Sequence, residues 1–160
     1  MSPIQVRSSD ATDADWVRSI LVEYWRSVKV VSRGRVHYPD RLPGFVAFLG
    51  SGRVGLITYR VEDEQCEIIT LNSLVEGIGV GTALVEAVRS VAVAKKCRRL
   101  WAITTNDNSR ALRFYQRNGF SLAATHLNAV EESRKLKPEI PLIGMGGIPV
   151  RHELELEVAL

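Results

Sequence analysis

Cysteine is scarce in this chain. Cys66 and Cys97 stand alone, with no CxxC pair and no Cys-rich tract. That argues against a disulfide-stapled scaffold, and both thiols are expected to be reduced and buried. Histidine is equally thin. His37, His126 and His152 are scattered without metal-ligand spacing, so no metal site is expected. No apolar run approaches the ~18 residues that a membrane span needs, because Gly, Pro or charge breaks each one. The opening MSPIQVRSSDATDADW lacks the basic and apolar regions of a secretion signal, so the expected location is cytoplasmic, with no membrane partner. Neither sign of charge dominates: 21 Lys and Arg face 18 Asp and Glu, for a net charge of +3. That is too mild to argue for nucleic acid, though it admits an anionic small ligand. Aromatics, at 7%, are too few for a single-strand stacking platform. What is present is ordinary globular composition, 46% hydrophobic and 24% charged, which argues against disorder. A length of 160 residues fits one domain, 1–160, large enough to bury a core.

The pattern along the chain changes once. Ile4–Arg7 reads as a short strand, and Thr12 with Asp15 as the cap of a helix carrying Trp16, Val17, Ile20, Leu21 and Tyr24 on one face. Residues 28–43 read as irregular. Phe45–Leu49, Val54–Tyr59 and Cys66–Leu74 then read as an antiparallel meander, with Gly50-Ser51-Gly52-Arg53 as a hairpin turn. Gly77, Gly79 and Gly81 open a helix with Leu84, Val88 and Val91 at helical spacing. It leads to a strand at Arg99–Thr104, and so to a parallel β-α-β crossover. Asn108 caps a further helix ended by Asn118-Gly119. Phe120–Asn128 is a strand, a loop-rich stretch follows, and the alternation of Leu154, Leu156 and Val158 marks a last strand. The expected fold is mixed α/β. Its central sheet has six to seven strands, an antiparallel meander plus a parallel β-α-β unit, with flanking helices.

The strand-to-helix turn Glu76-Gly77-Ile78-Gly79-Val80-Gly81-Thr82 lets a ligand approach the backbone and aims free N–H groups at it. A phosphate suits such a turn, and a tight turn without ligand remains the alternative. The GxGxxG dinucleotide pattern is not met, because Thr82 stands where the third glycine would be, and no P-loop lysine follows.

Two motifs together resemble the GNAT superfamily of acyl-CoA-dependent N-acyltransferases. The first is Glu76-x-x-Gly79-x-Gly81. The second is Asn108-x-x-Ala111-x-x-Phe114-Tyr115, ending in Gly119-Phe120. The resemblance extends over nearly the whole chain. It implies acetyl-CoA as co-substrate, no metal, and an amine acceptor, small molecule or peptide; a homodimer is compatible with it. It also implies that Leu71, Asn72, Ser73 and Leu74 offer backbone bonds to a pantetheine arm lying between two splayed strands. Gly77, Ile78, Gly79, Val80, Gly81 and Thr82 would hold the pyrophosphate. Asn108, Ala111, Phe114 and Tyr115 would flank the arm, with Tyr115 the general acid beside the thioester sulfur. Glu76 departs from the family, which usually has Arg or Gln there, and a carboxylate repels phosphate.

Acyl transfer also needs a base and an acceptor pocket. Glu67, on the strand that would splay, is the first base candidate, against a solvated or ion-paired strand glutamate; Glu23 and His126 are weaker ones. Tyr24, Arg33, Arg35 and Tyr38 are expected at the acceptor cleft, with the Gly/Pro-rich segment Glu139–Pro149 bordering it. Arg110, Arg113 and Arg117 share one helix side and read as a solvated face or a contact to the 3′-phosphate. Lys95, Lys96, Arg98 and Arg99 read as a helix end. The function implied is acetyl transfer to an amine by direct attack. A non-catalytic acyl-CoA sensor and a nucleic-acid module are the rival readings.

Overall fold

The computed structural model describes residues 3–160. Strand β1 (Ile4–Ser8) is followed by a 3-10 turn and helix α1 (Ala14–Trp25). A small hairpin, β2 (Val30–Ser32) and β3 (Arg35–His37), precedes β4 (Gly44–Leu49), β5 (Gly52–Glu62) and β6 (Gln65–Ser73). Helix α2 (Val80–Ala94) leads to β7 (Arg99–Thr105), then α3 (Ser109–Arg117) and β8 (Ser121–His126). Helix α4 (Ala129–Leu136) and β9 (Glu153–Ala159) complete the chain. Seven strands form one mixed sheet in the order β1-β4-β5-β6-β7-β9-β8. The β6–β7 pair is parallel and the others are antiparallel. The expected meander and the expected parallel crossover are both present.

Alternation along the central strands builds two cores. Ala47 and Ile57 face α2, whose Val80, Leu84, Val85 and Val88 are buried at helical spacing against Cys66, Ile68, Leu100 and Ala102. The neighbouring residues Val46 and Leu56 point the other way, onto Val17, Ile20 and Leu21 of α1. The sheet is thus covered on both faces. Each fully buried Leu contributes about 1.5–3 kcal/mol of burial. Among the described residues no helix is long and apolar enough to cross a membrane.

Four local expectations are corrected. The side-chain cap is not Thr12 but Asp10, which caps the 3-10 turn leading into α1: its side chain accepts from the Thr12 N–H while Asp13, at the N-cap position of α1, accepts from the Asp10 N–H. Asp13 can be buried there because Arg7 grips both its oxygens at 2.8 Å and Arg53 reaches it at 3.0 Å. That pairing, led by Arg7, holds its carboxyl down at about 2. Residues 28–43 are not wholly irregular but contain the β2–β3 hairpin. Arg33 and Gly34 both have positive φ there, as a two-residue hairpin turn requires. Three-residue strands are too short to show a period. The loop-rich stretch after β8 holds α4, a mainly polar helix that buries only Val130 and Ser133. Finally, Arg99 does not belong to the basic end of α2. It lies in β7, pairs with Glu155 and Glu157 at 2.7 Å, and stacks over Trp101.

Candidate active site

Strands β6 and β7 pair over only four positions, from Gln65–Arg99 to Ile68–Ala102. Then they part, and the cause is local. On β6, Thr70 pairs with Thr58 while Ile68 pairs with Tyr59, so Ile69 is an extra residue that bends the strand. Strand β7 cannot follow, because β9 holds it along its full length, Arg99–Thr105. Leu71, Asn72 and Ser73 therefore bond to β5 on one edge and face an open gap with the other. Their backbone N–H and C=O groups there need a partner. The Asn72 side chain is turned away, accepting from Trp25 Nε1 at 2.8 Å, and Leu74 N–H bonds back to Val54.

The gap opens toward the glycine turn. Gly77 and Gly79 have φ of 78° and 86°, which a side chain rarely adopts, and the space beside each is open. Gly79 is the N-cap of α2 and brings no side chain to its first N–H groups. These amides and the helix dipole form an anion-binding end. Gly81 is needed for a different reason: a Cβ would meet Phe114 at 2.8 Å, so α3 packs directly on this turn. Ile78 is packed against the core, Val80 is buried, and Thr82 is exposed. Glu76, the residue out of pattern, pairs with Arg110 from the first turn of α3, and both are largely exposed.

Asn108 caps α3, its side-chain oxygen accepting from Ala111 N–H at 3.0 Å, which leaves its amide N–H₂ free. Ala111 and Phe114 are partly buried against the core. Tyr115 is buried, edge-on to Phe114 at 5.4 Å and tilted on Phe120 at 5.0 Å. The resemblance implies Tyr115 in the gap, beside the thioester sulfur. Instead the Tyr115 ring belongs to the core, and only its hydroxyl end could serve a ligand. Burial raises its phenol well above the ordinary value.

Glu67 lies on the α1 side of β6, beneath the β2–β3 hairpin. Ser32 Oγ donates to its carboxylate at 2.6 Å. Burial, the largest cause, pushes the Glu67 carboxyl up to about 7; Glu153 and Glu155 add to this, against the Ser32 bond and Arg35. Such a group changes charge near neutrality, as a general base should. Of the weaker candidates, Glu23 is exposed on α1 and His126 is held by Glu155 at 3.0 Å. Ser32 lies 35 residues from Glu67, and no motif links the two in the sequence.

The four acceptor-side residues are not brought together. Tyr24 lines a cavity of about 440 Å³ at the far ends of α1 and β7, and the segment from Glu139 to Met145 forms another of its walls. Arg33 instead faces Glu153 at 3.5 Å, Arg35 pairs with Glu62 at 2.6 Å, and Tyr38 carries Arg41 over its ring. The cavity also includes Lys137 and Asp107, which the sequence reading did not single out. Asp107 accepts from Met145 N–H at 3.0 Å and from the Thr105 hydroxyl at 2.5 Å, pinning the late loop to the end of β7. Cys66 and Cys97 are free and buried, and burial pushes the Cys66 thiol up to about 12. Among the described residues no cluster of three or more His, Cys, Asp or Glu could hold a metal.

Comparisons with known proteins fit this geometry. Two Bacillus subtilis (strain 168) proteins, both uncharacterized, are similar in sequence. YxbD is 41% identical over 143 residues, covering 89% of this chain and 90% of its own. YdhI is 42% identical over 133 residues, covering 82% and 83%. Among solved structures, an IAA acetyltransferase from Bacillus cereus has a TM-score of 0.78 at 19% identity, over 99% of this chain and all of its own. A GNAT family acetyltransferase from Elizabethkingia anophelis, solved with acetyl-CoA bound, has a TM-score of 0.71 at 19% identity over the full length of both chains. The model of the acetyltransferase (GNAT) family matches residues 13–120, a span from the cap of α1 through the splayed strands and the glycine turn to Phe120. The parted strands, the turn and the capped α3 thus belong to one inherited plan, and this chain is a member of the GNAT family of acetyltransferases.

Proposed function

We propose that the protein, as one domain, transfers an acetyl group from acetyl-CoA to an amine by direct attack. The observation that carries this reading is the gap between β6 and β7, which opens onto the glycine turn at the start of α2. Pantetheine is a chain of amides and suits the open edge at Leu71–Ser73. A pyrophosphate suits the uncapped amides from Gly77 to Thr82, where nothing crowds Gly77 or Gly79. The free amide of Asn108, with Ala111 and Phe114, would border the opposite wall. The acetyl-CoA bound to the Elizabethkingia anophelis relative supports this choice of donor.

The chemistry then divides among three groups. Glu67 takes a proton from the amine, directly or through water, and its carboxyl near 7 suits that task. A backbone N–H near Leu71 polarises the thioester carbonyl as negative charge builds on its oxygen. Tyr115 gives its phenol proton to the departing sulfur as the N–C bond forms and the C–S bond breaks. The phenol is protonated at neutral pH, as an acid must be, and burial makes it a weaker donor than a free tyrosine, so the transfer has to occur as the sulfur gains charge. Thermal unfolding tests the donor site. Acetyl-CoA at ~100 Kd should stabilise the protein by about 2.7 kcal/mol. Gly79→Asp, which places bulk and negative charge at the turn, should abolish the shift. A folded Gly79→Asp protein that responds like wild type would overturn the reading.

A further inference from the structure

Lys137 is the least expected residue in the cavity wall. It is 5% exposed, and lysine is rarely buried without a carboxylate partner. Its Nζ donates to the Trp25 carbonyl at 2.5 Å, which satisfies one of three N–H donors. Among the described residues no carboxylate lies within ion-pair distance of it. Burial pushes its ammonium down, and the charges near it are mixed: Glu139, in the same wall, acts most strongly, opposed by Lys29 and Arg26 at the exit of α1. Asp107, the other carboxylate in the wall, is already engaged by Met145 N–H and Thr105.

The place of this charge is informative. Trp25, whose carbonyl holds Nζ, also lines the cavity, and its indole N–H bonds Asn72 on the open part of β6. Thr105, the last residue of β7, lines the same cavity. The cavity therefore reaches the end of β7 and, through Trp25, the open part of β6. Val30, Val31, Ile140 and Val150 give it apolar surface, and Arg26 and Glu139 add one charge of each sign. A Lys at a helix C-terminus can act simply as a cap for the last carbonyls. A cap alone does not account for a desolvated ammonium with two free donors in the wall of a cavity that reaches the end of β7.

Building on the transfer reading above, we propose that this cavity is an acceptor subsite for amines that carry a carboxylate on an apolar body, with Lys137 as the residue that binds the carboxylate. Arg26, in the same wall, adds to the attraction. The role of Lys137 is recognition, and it takes no part in proton transfer.

Paired amines that differ only in the carboxylate test this. Phenylalanine is set against phenethylamine, 6-aminohexanoate against hexylamine, and 4-(aminomethyl)benzoate against benzylamine. In wild type at least one pair should show a KM about ten- to hundredfold lower for the carboxylate member, the scale of one charge-assisted hydrogen bond. Lys137→Met should bring that ratio close to one, and Lys137→Arg should restore much of it. A purely structural lysine would instead move both members of a pair together. The absence of any preference in wild type, or an undiminished ratio in Lys137→Met, overturns the proposal. Thermal shifts with the same compounds, without acetyl-CoA, keep the subsite separate from the chemistry. If no amine is acetylated, the transfer reading falls, while a carboxylate-dependent shift lost in Lys137→Met still upholds the subsite. If Lys137→Met does not fold, the wild-type ratios and Lys137→Gln decide.

Discussion

Glu67→Gln is the substitution with the most to say, because one side chain should control both rate and stability. The Gln is nearly isosteric, can still hydrogen-bond Ser32, and cannot take a proton. In wild type, kcat/KM for the amine should rise with pH and level off above about 7, where the carboxylate forms. At one pH unit below that midpoint only about a tenth of the molecules carry the base, so the rate should be about a tenth of the plateau. In Glu67→Gln the acid limb should vanish and the plateau should fall by ~10²–10⁴. The sign of the stability effect is the reverse of the usual carboxylate case. Here the folded value lies above the unfolded one, 4.5 rising to about 7, so the native state holds its proton more tightly. The Glu67 contribution to wild-type stability should therefore be greatest below about 4.5 and decline as pH rises through 7. The full change is at most about 3 kcal/mol, less what solvent reaching the half-buried carboxylate recovers. The decline should be absent from Glu67→Gln, which should be the more stable protein above neutrality. Urea unfolding at several pH values, run beside the rate profiles, reads both. A variant that keeps the wild-type acid limb would refute the assignment of Glu67 as base, whatever its stability.

Three further outcomes follow from the same geometry. Glu76→Gln should leave the melting temperature nearly unchanged, since its pair with Arg110 is exposed, and should tighten acetyl-CoA two- to fivefold by calorimetry. That corresponds to about 0.5–1 kcal/mol for the loss of one solvent-screened like charge near a phosphate; weaker binding would mean that Glu76 usefully positions Arg110. Tyr115→Phe keeps the ring packing against Phe114 and Phe120, so folding should hold while the chemical step slows by ~10²–10⁴-fold. Near-normal turnover, at a step shown to be chemistry, would return Tyr115 to a core role alone. Asp13→Asn should cost about 1.5–3 kcal/mol in urea unfolding, because it removes the charge that Arg7 and Arg53 share while both guanidiniums stay partly solvated. In wild type that stabilisation is present above 3.8 and is lost as pH falls toward 2. A variant as stable as wild type would show the network to be dispensable.

What could be read from the sequence was local in the chain. The alternating glycines, the Asn108 cap and the Gly119-Phe120 ending are each contained in a few residues whose backbone demands are specific. Those demands marked the turn and α3 without reference to the rest of the fold. The alternation of Leu154, Leu156 and Val158 marked β9 but not its place between β7 and β8, which depends on partners elsewhere. The same reason hid the bond from Ser32 to Glu67, 35 residues apart, and that from Lys137 to Trp25, 112 apart. Arg33 and Arg35 looked like acceptor ligands beside aromatic residues. Glu153 and Glu62, which neutralise them, come from distant strands. Helix α4 went unseen because five of its eight residues, Glu131 to Lys135, are polar and leave no apolar stripe, and what it buries is set by the tertiary fold.

The most direct measurement of acetyl transfer is thiol release from acetyl-CoA in the presence of the amine panel, with the products weighed by mass spectrometry. The expected result is enzyme-dependent thiol release that requires both substrates, one thiol for each amine gaining one acetyl group, with Glu67→Gln and Tyr115→Phe strongly impaired. Thiol released at the same rate without any amine, or acetyl-CoA left intact by a protein that binds it at every pH from 6 to 9, would contradict the assignment of acetyl transfer.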